Sequence, residues 1–278
     1  MRLRSLLFCP GNRPEMMAKL AAIGADCVAI DLEDGVPVDA KVGARQTARE
    51  GASLLAGQQV FIRVNGTDTP WIEDDIASAV GPSAAGIILP KLESVSQLEW
   101  VAAQLDAAGL REAKIIGGLE TALGIEEAPR LAHPRLVAVY FGAEDYIADV
   151  GGERTPSSHE VAYARARTVM AARIIGVAPI DQVVVEVKND ERYLAEAVTA
   201  RQLGFTGKIC LHPAQVPLAN QVFTPGEGEI QRARRLLSAV ADARRESRGT
   251  VLFEGAMVDV PLIRQAEQVL ARAGLEES

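Results

Sequence analysis

Lys114-Ile115-Ile116-Gly117-Gly118-Leu119-Glu120 and Leu136-Val137-Ala138-Val139-Tyr140-Phe141-Gly142-Ala143-Glu144-Asp145 decide how this chain is read. Each begins with an apolar run of strand length, apolar at every position and not at alternate ones. That pattern marks a strand buried on both faces, as in a parallel sheet. Each run ends in a carboxylate, Glu120 after the first and Glu144-Asp145 after the second. Packing gives no reason for an acid just beyond a buried strand, and two of them on successive strands can converge on one hard cation. The competing explanation is local: Glu120 caps the next helix, and Glu144 and Asp145 are ordinary loop acids.

Outward from this pair, apolar runs alternate with amphipathic stretches along most of the chain. Strands are expected over Ser5–Cys9, Cys27–Ile30, Val60–Val64, Ala85–Leu89, Lys114–Leu119, Leu136–Phe141, Gln182–Val185 and Lys208–Leu211. Asn12 is expected to cap the first helix, with Pro14 in its first turn and Glu15 at the capping-box position. Ser94 and Gln97 have the spacing of a second capping box. Eight strand–helix units in 278 residues predict an α/β fold of the closed (β/α)8, or TIM, barrel type. An open doubly wound sheet is the alternative, but no strand is followed by the Gly-x-Gly-x-x-Gly fingerprint of a dinucleotide fold. Residues 1–223 are assigned to the barrel. Residues 224–278 form a helical extension: a charged helix over Glu227–Arg245, an apolar stretch over Val251–Val260 expected to pack on a barrel, and a final helix over Leu262–Ala273.

Composition narrows the class. With 48% hydrophobic and 24% charged residues the chain is an ordinary globular sequence, and a net charge of -8 argues against nucleic acid as a partner. No apolar run reaches membrane-spanning length, and the apolar opening stops at Pro10-Gly11, too short for a signal peptide. Cys9, Cys27 and Cys210 all lie in strand-like runs without CxxC spacing, which reads as reduced, buried thiols in a cytoplasmic protein.

In a barrel the C-terminal strand ends share one rim, where active sites form. This sequence places Asp31, Glu33 and Asp34 there after the second strand, and Arg63 and Asn65 after the third. Lys91 follows the fourth, Glu120 the fifth, Glu144 and Asp145 the sixth, and His212 the eighth. Glu120 and Asp145 are hard oxygen donors, and no His triad is available, since His133 and His159 lie away from strand ends. Two carboxylates with positions left open suit Mg2+ over Zn2+. Arg63 can grip a carboxylate with its planar fork, or it pairs with the acids after the second strand. Lys91 as a Schiff-base amine is disfavoured, because neighbouring carboxylates keep it charged. His212 is read either as catalytic or as a strand-end residue bonded to backbone.

The motifs Leu7-Phe8-Cys9-Pro10-Gly11-Asn12-Arg13-Pro14, Ile30-Asp31-Leu32-Glu33-Asp34-Gly35-Val36, Ile62-Arg63-Val64-Asn65, Leu89-Pro90-Lys91, Leu119-Glu120-Thr121-Ala122, Phe141-Gly142-Ala143-Glu144-Asp145, Leu211-His212-Pro213-Ala214-Gln215 and Gly255-Ala256-Met257-Val258-Asp259 resemble the citrate lyase β-subunit-like family of the HpcH/HpaI aldolase superfamily. They occur in that family's order from Leu7 to near the C-terminus. Gly151–His159 and Val183–Glu191 carry none of its signatures. The resemblance implies a TIM-barrel, Mg2+-dependent carbon–carbon lyase acting on citryl-, citramalyl- or malyl-type thioesters of coenzyme A or an acyl carrier protein. Its products would be an acetyl-thioester and a 2-keto acid: oxaloacetate, pyruvate or glyoxylate.

By the same resemblance Glu120 and Asp145 are the Mg2+ ligands, Glu120 and Arg63 contact substrate, and Asp259 is the acid/base. Pro10, Gly11, Arg13, His212 and Pro213 line the thioester arm. A homotrimer is implied, with Asp259 entering a neighbour's site. Two other readings stand beside this one. A pyruvate-type class II aldolase acting on free hydroxy-keto acids would leave Asp259 without a task. A non-catalytic subunit of a larger lyase complex would leave the rim acids without one.

Overall fold

The computed structural model describes residues 2–245 and 251–275. Eight parallel strands, β1 (Ser5–Pro10), β2 (Cys27–Asp31), β3 (Gln59–Arg63), β4 (Gly86–Leu89), β5 (Lys114–Leu119), β6 (Leu136–Phe141), β7 (Ala178–Asp181) and β8 (Gly207–Cys210), close into a barrel in chain order. Closure comes from β1 pairing with β8, Leu6 opposite Ile209. The helices are α1 (Pro14–Leu20), α2 (Lys41–Leu54), α3 (Ile72–Ala79), α4 (Val95–Ala107), α5 (Ala122–Glu127), α6 (Ala143–Val150), α7 (Ala162–Ile175), α8 (Asp190–Leu203) and α9 (Gln215–Val222). The (β/α)8 expectation holds, and β5 and β6 begin and end where the apolar runs do.

Burial on both strand faces follows from two apolar layers. Leu6, Ala29, Phe61, Ile88, Ile116, Ala138, Ile180 and Ile209 fill the barrel interior. Leu7, Val28, Ile30, Ile62, Ile87, Leu89, Ile115 and Val139 face the helices. Neighbouring residues on a strand thus point to opposite, equally apolar layers, which explains why no polar alternation is visible. The barrel and the remaining residues are two compact units, Met1–Phe223 and Thr224–Ser278. The second holds α10 (Glu227–Arg245), a small hairpin of β9 (Leu252–Phe253) and β10 (Ala256–Met257), and α11 (Val260–Ala273). No helix of the described residues is long and apolar enough to cross a membrane.

Two local expectations are corrected. The seventh strand is Ala178–Asp181, ahead of the expected Gln182–Val185. Pro179 cannot donate to a ladder, but its carbonyl accepts from Thr206 N at 2.9 Å. The valines after it do not ladder: Val183, partly buried, packs on the interior layer, Val184 is buried in the outer one, and Val185 is exposed. Asn12 does not cap α1. A turn from Arg13 N to Pro10 O (3.2 Å) encloses it, Arg13 takes the cap position without a side-chain bond, and Glu15 pairs with Arg13. In the second unit, Val251, Phe253 and Val258 pack on Leu236, Val240, Ala266 and Leu270 of the helix pair. Leu252, Met257 and Val260 are exposed. The Ser94–Gln97 capping box of α4 is present.

Candidate active site

The rim cluster starts at the end of β2. Asp31 accepts the backbone N–H groups of Glu33 (2.9 Å) and Gly35 (2.8 Å), which curls the chain so that Glu33 returns over the barrel mouth. Gly11 donates to the Asp31 carbonyl at 2.7 Å, and a Cβ on Gly11 would lie 2.6 Å from that oxygen. The approach of β1 to β2 therefore requires glycine there. Lys41 fixes the same turn from outside, its Nζ donating to the carbonyls of Leu32 and Glu33 and to Asn65 Oδ1. Asn65 is thus held in a structural contact, not presented to the rim.

Arg63, at the end of β3, lays its fork on Asp31, with Nε to Oδ1 at 2.6 Å and Nη2 to Oδ2 at 2.7 Å. Its Nη1 lies 2.9 Å from Glu33 Oε2, and its guanidinium sits 5.0 Å from the Phe8 ring centre. The salt bridge to the acids after β2 is therefore real. Only the hydrogens that this pairing leaves over are free for a substrate. Burial pushes the Asp31 carboxyl up, but Arg63 and the two backbone donors outweigh it and hold it below the usual range. Glu33 goes the other way: burial raises it despite Arg63 and Lys91.

Glu120 follows β5 and turns inward. Thr121, not Glu120, caps α5 by accepting from Gly124 N, which disposes of the capping explanation. Glu120 is 2% exposed. Its Oε1 accepts the Lys91 backbone N–H at 2.8 Å and its Oε2 the Tyr140 hydroxyl at 3.0 Å. Burial, with Glu33 and Asp145 nearby, pushes its carboxyl up to about 7, against the pull of Arg63 and Lys91.

Asp145 stands in the first turn of α6, half exposed, with its Oδ1 3.2 Å from Lys91 Nζ. The same Nζ donates to Glu33 Oε1 at 2.9 Å. Burial lowers the Lys91 ammonium's proton affinity, but Glu33, Glu120 and Asp145 more than reverse this and keep it protonated. That disfavours a Schiff-base role for Lys91.

Leaving aside the exposed Asp34, four carboxylates (Asp31, Glu33, Glu120 and Asp145) face two cations (Arg63 and Lys91). Glu33 Oε2 is buried and accepts no hydrogen bond, although it lies within ion-pair distance of Arg63. Two negative charges in excess, hard oxygen donors and an orphaned buried oxygen fit a hard divalent cation. No group of three or more His, Cys, Asp or Glu side chains able to hold a metal exists among the described residues. Glu120 and Asp145 would hold such a cation by oxygens alone and leave its other positions to water and substrate, as an open catalytic site requires.

Pro10 pairs with Asp31 in the sheet register, beside the cluster. Arg13 is exposed and paired with Glu15. His212 and Pro213 follow β8. His212 Nδ1 accepts from Ala214 N at 3.2 Å, the backbone contact of a strand-end residue. Asp259, exposed in the second unit, caps α11 by accepting from Leu262 N at 3.0 Å. Nothing in the sequence marks Tyr140, which reads as core, or Arg154, whose guanidinium meets Glu144, Glu160 and Gln182 beside the site.

Residues 4–213 match the family described as HpcH/HpaI aldolase/citrate lyase. A "Citrate lyase subunit beta-like protein" of Deinococcus radiodurans is 44% identical over 97% of this chain and 96% of its own length. A "(3S)-malyl-CoA thioesterase" of Cereibacter sphaeroides is 33% identical over 97% of this chain and 94% of its own. The CitE protein of Mycobacterium tuberculosis, solved with magnesium, acetoacetate and coenzyme A, superposes with a TM-score of 0.80 at 33% identity, covering 97% of both chains. The chain belongs to the HpcH/HpaI aldolase/citrate lyase family.

Proposed function

We propose that this family member is a Mg2+-dependent carbon–carbon lyase. It cleaves, or in reverse forms, a 3-hydroxy-3-carboxyacyl thioester of the citryl, citramalyl or malyl type on coenzyme A or an acyl carrier protein. The products are acetyl-thioester and oxaloacetate, pyruvate or glyoxylate. The observation that carries the reading is the rim cluster, in which four carboxylates share two cations around a buried Glu120 and a buried Glu33 oxygen accepts no hydrogen bond. Magnesium and a coenzyme A thioester partner are supported by the CitE complex.

Glu120 and Asp145 would hold the Mg2+, which when bound supplies Lewis-acid stabilisation of the oxygens of a 2-hydroxy carboxylate. The protein's own groups do the rest. Tyr140 and the Lys91 N–H fix the rotamer of Glu120. Asp31 fixes Arg63, whose unused N–H edge binds the substrate carboxylate and the charge that develops as the carbon–carbon bond breaks. Asp259, from a neighbouring copy in a homotrimer, gives a proton to the carbon next to the thioester and removes it in the synthetic direction. Pro10, Gly11, Arg13, His212 and Pro213 border the thioester arm.

Thioester hydrolysis is the second reading, favoured by the relative named as a malyl-CoA thioesterase. The two separate by their products. Citryl-, citramalyl- and malyl-CoA are incubated with and without Mg2+, and keto acid and free thiol are assayed. Keto acid without free thiol, abolished by chelator and by Asp259→Asn while that variant still binds Mg2+, is the expected result. Free thiol with intact hydroxy acid establishes the thioesterase instead.

A further inference from the structure

Among the described residues Lys91 alone is in contact with three of the four site carboxylates, and its backbone is strained. Its φ is +48, a left-handed conformation that a lysine rarely adopts. That conformation follows β4 and aims the Lys91 N–H at Glu120 Oε1 (2.8 Å), while the next N–H, of Leu92, returns to the Gly118 carbonyl (2.9 Å). Glycine would meet this backbone demand at no steric cost. A side chain kept at such a position is one in use, and strain of this kind gathers at working sites. The use is visible: Nζ spans the ends of β2 and β6, bonded to Glu33 Oε1 at 2.9 Å and 3.2 Å from Asp145 Oδ1. The two ends differ. Glu33 also has Arg63 Nη1 at 2.9 Å, whereas Lys91 is the sole ionic partner of Asp145 among the described residues.

We propose that Lys91 is a tethered counter-ion: its ammonium holds Asp145 in the metal-free protein and gives that carboxylate up to the divalent cation, keeping Glu33. Lysine and cation then compete for one oxygen donor. The ammonium keeps Glu33, Glu120 and Asp145 from repelling one another while the site is empty, and it opposes the cation that enters, because two like charges are brought close in a poorly screened pocket. A flexible, compact ammonium suits a contact that must be broken and remade, where the rigid fork of Arg63 suits one that persists.

The inference rests on Glu120 and Asp145 being the metal ligands, and the test separates the two claims. Mn2+ and Mg2+ uptake is measured by calorimetry at about pH 9, where model carboxylates are fully ionised, on the wild type, Lys91→Met, Lys91→Gly and Glu120→Gln. Lys91→Met is expected to bind the cation on the order of tenfold more tightly than the wild type. Its metal-free form should melt at a lower temperature, since its acids have lost their partner. Lys91→Gly keeps the N–H on Glu120, relieves the positive φ and should bind equally tightly, so it carries the test if Lys91→Met does not fold. A wild type without uptake, or a Glu120→Gln variant binding as well as the wild type, overturns the metal site and this inference with it. Wild-type uptake that is lost with Glu120→Gln, but unchanged or weakened in the lysine variants, overturns the counter-ion alone.

Discussion

Two buried charge clusters in this barrel use the same residue types to opposite ends. Behind β7 and β8, Asp181 receives the Arg165 fork (2.9 and 3.0 Å) and Lys208 Nζ (2.6 Å). Glu196 receives Ser158 (2.7 Å) and Gln182 (2.8 Å) and lies 3.9 Å from Lys208. Two carboxylates meet two buried cations, with Arg192, itself paired with Glu186, also 3.9 Å from Glu196; burial's upward push on Glu196 is outweighed by Lys208 and the hydrogen bonds, leaving its carboxyl below the usual range. At the rim, four carboxylates meet two cations, and Glu120 is pushed up to about 7. A buried cluster that the protein neutralises itself is a structural tie. One left two charges short is a site awaiting something that carries two positive charges.

Breaking the neutral cluster has the larger effect on folding. Lys208 is wholly buried, so Lys208→Met leaves Asp181 and Glu196 without a cation they cannot replace from solvent. A loss of about 3–5 kcal/mol is expected in denaturant melts, with Mg2+ affinity of the folded protein unchanged. A variant that keeps its stability but loses metal uptake would show that the distinction between the clusters is false.

The rim should respond with the opposite sign. In Glu120→Gln the amide oxygen can accept the Lys91 N–H and the amide nitrogen can donate to a rotated Tyr140 hydroxyl, so both contacts survive without the charge. A carboxyl whose folded value is raised costs stability as pH climbs from the ordinary carboxylate value through its folded one, here up to about 7. In chelator near pH 8 the variant should therefore be more stable than the wild type, by about 1–3 kcal/mol. The advantage should shrink toward the ordinary carboxylate range, and divalent-cation uptake should vanish at either pH. Equal or lower stability near pH 8 would mean that Glu120 is already compensated and the charge count at the rim is wrong.

The sequence exposed the parts of this contrast that depend on position along a strand. Glu120 and Asp145 stand out because they end apolar runs, and β5 and β6 coincide with those runs because both faces of each are covered. The pairing of charges was not legible, because partners such as Lys91 and Glu33, or Lys208 and Asp181, are brought together across the barrel from distant positions. The β7 boundary is displaced because an apolar run signals packing and not pairing: Val183 is partly buried and Val184 buried, neither in the ladder. The Lys91 backbone was hidden for a different reason: no residue type but glycine announces a positive φ.

Tyr140 sharpens the comparison by the smallest expected change. Its ring packs edge-on to Phe8, with centroids 6.5 Å apart, and its hydroxyl has Glu120 Oε2 as its hydrogen-bond partner. Glycines make room for this contact. A Cβ on Gly118 would come within 2.4 Å of the hydroxyl, and one on Gly142 within 2.4 Å of Glu120 Oε2. Burial and Glu120 keep the phenol well above its ordinary range, so it is a permanent donor. Tyr140→Phe leaves the ring in place and takes one of the two hydrogen bonds from Glu120, worth about 1 kcal/mol. Because that bond favours the ionised carboxylate, its loss raises the pH at which Glu120 gives up its proton. Proton and cation compete for the same oxygens, so Mn2+ uptake should weaken several-fold near pH 7, on the order of the bond's energy. The affinity of the wild type should return at about pH 9, where neither protein holds the proton. An offset of the same size at both pH values would mean that the hydroxyl orients Glu120 without shifting its ionisation. The rim's excess charge would then be stabilised elsewhere than at this carboxylate.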